Sequence, residues 1–222
     1  MGGDSTLDTG AFDLTIQRGL NVMVEEQYTK TGSGTLTLAG TNAAAGTGAT
    51  IIAAGTLRLN QAADVIALAA NVTVADGATL LLSSSGQVAD TVNVTLSGGT
   101  IRRDGAVSAT FGDLNLSTDS FLDYGTGAVG TLRFGLYSPE APAHMLTVAN
   151  FSAGNRLQFG NSLSGEQLNS FFTFDNAFVT GMDGGFFTIT AIPEPSTVVA
   201  TAGLAVLLLG PTLRRLSRRR GI

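Results

Sequence analysis

The chain has 222 residues, with 29 glycines, no cysteine, no tryptophan and a single histidine; 13% of it is charged, 44% is hydrophobic, and the formal net charge is −5. This inventory excludes a disulfide framework and any Cys-based or multi-His metal centre, and the acidity argues against a nucleic-acid binder. High hydrophobicity with low net charge opposes disorder, and a single lysine leaves too few flanking charges for a coiled coil, so a Gly-, Thr- and Ala-rich β protein of one or two domains remains.

Residues 1–33 read as a partial, degenerate N-terminal repeat. Met1 to Gly10 (MGGDSTLDTG) carries neither the basic nor the apolar region of a secretory leader, which predicts an earlier start or a fragment of a longer gene. From 34 to 135 the body repeats. Asn71, Asn93 and Asn115 open similar segments 22 residues apart, and Gly55, Gly77 and Gly99 keep the same step. Each period reads as strand, glycine turn, strand and loop, with the alternation and β-branched residues that strands favour. Such a period predicts a β-solenoid of four to five coils in which each coil buries its apolar face on the next. Val72, Val74, Leu80, Val94, Leu96, Ile101 and Leu116 are expected to point inward. The asparagines have two readings: a structural ladder of stacked amides at one corner, or a glycan-binding row.

Thr29-Lys30-Thr31-Gly32, Ser33-Gly34-Thr35-Leu36-Thr37-Leu38-Ala39-Gly40-Thr41-Asn42 and the later Gly55-Thr56-Leu57-Arg58-Leu59 resemble the autotransporter-associated β-strand repeat. The resemblance spans about residues 29–60. It implies a right-handed parallel β-helix on a secreted or surface-exposed passenger, with the later coils as degenerate copies.

Residues 136–191 differ in texture. Pro139 and Pro142 interrupt, strands are expected around Leu146 and Leu157, and Gly165 to Asn169 reads as a short helix or turn. Phenylalanine is concentrated here. The segment is expected to be a β module that caps the solenoid and blocks edge pairing.

Residues 192–222 stand apart in charge. Residues 1–191 hold 7 basic and 16 acidic side chains, and 192–222 hold 5 and 1, giving −9 and +4. Thr197 to Leu213 is 17 residues without a charge, about 26 Å as a helix, short but within range of the ~30 Å hydrocarbon core. Arg214, Arg215, Arg218, Arg219 and Arg220 follow and place Ile222 in the cytoplasm. Pro193-Glu194-Pro195 precedes the span as an extended, accessible hinge. Proline-glutamate-proline, apolar helix and basic terminus, in that order, resemble the PEP-CTERM sorting signal. That resemblance implies an exosortase as partner, with Pro193, Glu194 and Pro195 as the recognition residues. It implies a single-pass inner-membrane intermediate on the way to the cell surface or beyond, with exopolysaccharide or biofilm matrix as the destination.

Enzyme chemistry finds little support. Parallel β-helices include polysaccharide lyases and hydrolases, and a glycosidase needs two carboxyl groups ~5–9.5 Å apart. The candidates are Asp76 with Asp104 and Asp119 with Asp123, but aspartate is ordinary in turns. His144 has no matching nucleophile motif, Asp183-Gly184-Gly185 is a fragment of a calcium-binding nonapeptide, and Arg102-Arg103 reads as a solvated strand edge. No catalytic residue, metal or cofactor is assigned. The expectation is a non-enzymatic exported structural protein, with a polysaccharide-binding adhesin or a lyase or hydrolase as the alternative.

Overall fold

Nineteen strands and one short helix follow one another along residues 3–192 of a computed structural model, which describes residues 3–20, 26–44, 46, 48–137 and 144–192. The strands are β1 (Ser5–Asp8), β2 (Leu14–Ile16), β3 (Gln27–Thr31), β4 (Thr35–Gly40), β5 (Ala49–Ile52), β6 (Thr56–Gln61), β7 (Val72–Ala75), β8 (Thr79–Leu82), β9 (Val94–Ser97), β10 (Thr100–Arg103), β11 (Ala109–Thr110), β12 (Leu114–Thr118), β13 (Ser120–Asp123), β14 (Thr131–Phe134), β15 (Leu146–Ala149) and β16 (Arg156–Phe159). Helix α1 (Gly165–Phe171), β17 (Phe172–Phe174), β18 (Phe178–Asp183) and β19 (Phe186–Ala191) complete it.

Consecutive coils stack strand on strand. One sheet runs β1-β3-β5-β7-β9-β12 and a second β2-β4-β6-β8-β10-β13-β15-β17, all neighbours parallel. A third begins at β11 and runs β14-β16-β19-β18. The result is a parallel β-solenoid of about 7 turns with about 22 residues per coil, more turns than the period alone predicted. Residues 5–16 already form a regular coil, since β1 pairs with β3 and β2 with β4.

Strand alternation decides what is buried. In β7 and β9, Val72, Val74, Val94 and Leu96 face inward while Thr73 and Thr95 face out. In the second sheet one column runs Leu14–Leu36–Leu57–Leu80–Ile101–Leu122–Val148–Phe174. Every member from Leu36 to Val148 is fully buried. Towards the far end, aromatics take over. Phe111, Phe134 and Phe159 stack with ring centroids 5.2 and 5.9 Å apart, and Tyr124, Phe151 and Phe174 form a second series. Leu116 is only partly buried, and Leu114 takes the deep position opposite Val94.

Residues 144–174 are not a separate cap. β15 and β17 add two more rungs to the second sheet, and β16 extends the third. Helix α1 enters through a capping box between Ser164 and Gln167. Only the last hairpin breaks the pattern: β19 pairs antiparallel with β16, and β18 antiparallel with β19. Gly184 and Gly185 join them with φ of 58° and 86°, the two-residue turn that needs positive φ twice. The Asp183-Gly184-Gly185 fragment is therefore a hairpin turn. Backbone approach also fixes one glycine in the first coils: a Cβ on Gly34 would collide with the Phe12 backbone.

Among the described residues no helix is long and apolar enough to cross a membrane. The expected span 197–213, Pro193-Glu194-Pro195 and the five terminal arginines lie outside the described residues.

Candidate functional site

Three long polar side chains occupy interior corners, each bonding turns of neighbouring coils. Lys30 falls in the inward column with Ile52, Val74 and Leu96 and is fully buried. Its Nζ, with three N–H groups, sits within hydrogen-bond distance of five oxygens: the carbonyls of Gly32 (2.6 Å), Gly34 (2.7 Å), Ala54 (2.9 Å) and Thr31 (3.1 Å), and Thr9 Oγ1 (3.1 Å). Gln87 accepts from the Gln61 amide (2.7 Å) and donates to the carbonyls of Ala62 and Val65.

Arg103 corrects the expectation of a solvated edge. Arg102 does face solvent and pairs with Asp123 at 3.4 Å. Arg103 lies in the inward column after Leu82 and is 1% exposed. It donates to the carbonyls of Val107 (2.7 Å), Tyr124 (3.0 Å) and Ala128 (3.1 Å) and to Asn155 Oδ1 (2.9 Å). Its guanidinium sits 4.5 Å from the centre of the Tyr124 ring. Burial lowers the guanidinium pKa and raises that of the Tyr124 hydroxyl. Parity explains the difference: successive residues of a strand face opposite sides.

The asparagines form a series of a different kind from an amide stack. Asn71 Oδ1 accepts the Asn93 amide (3.0 Å), and Asn93 Oδ1 accepts the Asp113 amide (2.8 Å). Asp113 Oδ1 in turn accepts the Leu136 amide (2.9 Å). Asn115 stands outside the series. The coil is 20 residues at this point instead of 22, so Asp113 takes the corner and Asn115 is exposed opposite Thr95. We expect Asn93→Ala to cost about 1 kcal/mol in urea unfolding and Asn115→Ala to stay within about 0.5 kcal/mol.

The candidate carboxylate pairs are not brought together as pairs. Asp104 binds Arg58 (3.2 Å) and Asp123 binds Arg102. Asp76 and Asp119 instead share an open pocket of about 470 Å³ with His144. There Asp119 Oδ1 accepts the Met145 amide (2.7 Å), and His144 Nδ1 lies 4.0 Å away, beyond hydrogen-bond reach. Among the described residues no cluster of three metal-ligating side chains occurs.

The larger groups unread from the sequence lie on the third sheet. Leu132, Phe134, Leu157 and Phe159 face inward, so Thr131, Arg133, Arg156 and Gln158 face out. They line a trough of about 400 Å³. Arg133 Nε donates to Gln158 Oε1 (2.9 Å), whose Nε2 donates to Thr188 Oγ1 (3.0 Å), and the guanidinium lies 4.2 Å from the Phe186 ring centre. Arg156 pairs with Asp183 at 2.6 Å.

A family model, the passenger-associated-transport-repeat, matches residues 29–59. The match runs from within β3 to within β6 and includes Lys30 and the glycines around it. No curated protein and no solved structure matches the chain. The repeat and the solenoid together suggest an exported, passenger-like structural protein.

Proposed function

We propose that this chain is a non-enzymatic structural protein of the cell surface or extracellular matrix, exported as a solenoid body and sorted by an exosortase through residues 192–222. The observation that carries the reading is the passenger-type repeat at 29–59 folded as a coil, in register with the coils on both sides. The chain's buried long polar side chains Lys30, Gln87 and Arg103 bond turns of neighbouring coils. In this reading the 17 uncharged residues from Thr197 span the inner membrane, with the arginine cluster in the cytoplasm. Pro193, Glu194 and Pro195 are then presented to the exosortase on the outer side, with exopolysaccharide or biofilm matrix as the later neighbour.

The test is sorting. A version carrying a secretory leader is expressed in an exosortase-bearing bacterium, intact or with Pro193→Ala, Glu194→Ala and Pro195→Ala together. The intact chain is expected to lose its C-terminal segment and leave the membrane fraction. The triple variant is expected to stay there uncleaved. Equal processing of both would overturn the sorting role.

A further inference from the structure

We propose that the trough on the third sheet binds a linear, neutral, β-linked polysaccharide lying along the solenoid axis. This deepens the reading above by naming what an exported body would hold, and it is tested on the purified chain without any export step.

Five successive coils supply the floor. Asp64 bonds through its amide to the Ser85 carbonyl, Ser85 Oγ accepts the Ser108 amide, Ser108 Oγ accepts the Thr131 amide, and Thr131 pairs with Arg156. At ~4.8 Å per coil, four steps extend about 19 Å. Two coil rises come close to the two-unit repeat of an extended β-linked chain, in which alternate sugars present the same face, so same-side hydroxyls meet polar groups on every second coil. An extended peptide repeats same-side groups every ~6.8 Å and falls out of step after one coil.

The donors are fixed before any ligand arrives. Gln158, 2% exposed, holds Arg133 by its Nε and is itself held by Thr188. That leaves the Arg133 Nη groups without a hydrogen-bond partner among the described residues, at the trough wall. Arg156 is steadied in the same way by Asp183. Pinned guanidinium groups lose less freedom on binding than mobile ones. Acceptors stand at the opposite end, where Asp64 and Asp90 line the trough. Carboxylates accept hydrogen bonds from hydroxyls and repel a polyanion, so donors and acceptors on one floor select a neutral, hydroxyl-rich chain over an acidic glycan or a nucleic acid.

The experiment is affinity electrophoresis of the full chain in gels containing hydroxyethyl cellulose, a neutral β-linked glucan, or alginate, an acidic polyuronate. We expect retardation in the glucan gel. Arg133→Ala should weaken the association about fivefold or more, the effect of one lost hydrogen bond. Thr110→Tyr, which fills the trough from β11 while keeping the strand, should do the same and serves as the deciding variant if Arg133→Ala disturbs the fold. Arg58→Ala, on the second sheet, should leave retardation unchanged. No retardation in the glucan gel, equal retardation of the intact chain and Thr110→Tyr, or retardation by alginate alone that vanishes with salt would each overturn the proposal.

Discussion

Arg103→Met is expected to destabilise the solenoid by about 4 kcal/mol or more, a fall of about 10 °C in melting temperature for a unit of this size. Met keeps most of the apolar stem, so the loss isolates the guanidinium. Without it the carbonyls of Val107, Tyr124 and Ala128 lose their side-chain donor inside the protein. Each buried carbonyl left bare costs ~1–3 kcal/mol. The contact with the Tyr124 ring adds about 1–2 kcal/mol. Arg103→Lys should recover less than half, because one ammonium cannot reach acceptors on separate turns in the geometry of a planar fork. Arg102→Met, one residue earlier and exposed, should stay within about 0.5 kcal/mol. Urea unfolding of the three variants checks the series, and equal loss at 102 and 103 would contradict the parity argument.

Lys30→Met should cost about 3 kcal/mol, since the Gly32 and Ala54 carbonyls lose the ammonium that bridges β3, its turn and the next coil. The variant carries a pH signature as well. Burial lowers the Lys30 pKa from 10.5, with Asp8 and Asp13 opposing. A folded pKa below the unfolded one means the unfolded chain binds more protons in the interval between them. This group therefore makes stability rise with pH across that interval, up to 10.5. The difference in unfolding free energy between the intact chain and Lys30→Met, followed from neutral pH upward, should grow as pH rises. A flat difference would mean that the ammonium is as well solvated by its carbonyls as by water.

The inward columns were legible because strand alternation and glycine turns repeat at one interval. Val72, Val74, Leu80, Val94, Leu96 and Ile101 could be placed by counting alone. Counting failed where coil length changes. The step from Asn93 to its successor is 20 residues, and that from Asp119 to Met145 is 26, so Asn115 missed its corner and the last coils looked like a separate module. The third sheet escaped for another reason: its first strand is two residues long, too short to show any alternation. Arg103 was misread because a charged residue at an inward position gains its meaning from acceptors 4 to 52 residues away. Lys30 lay inside the quoted repeat, and only the closure of the Gly32 to Gly34 turn around it gives it work. The chain's single histidine gave no signal in sequence, and in the structure its Nδ1 lies 4.0 Å from Asp119.

The coil-by-coil ladder also has a mechanical side. Parallel neighbours bond across a direction perpendicular to the strands, so a pull between the two ends loads the coils in series. Each layer must peel before the next bears full force. Extension would then come as a staircase, each step freeing about 22 residues, roughly 75 Å of extended chain. The corner bonds of Lys30, Gln87 and Arg103 would set the tallest risers. Such a body would yield by instalments under tension and recoil one coil at a time.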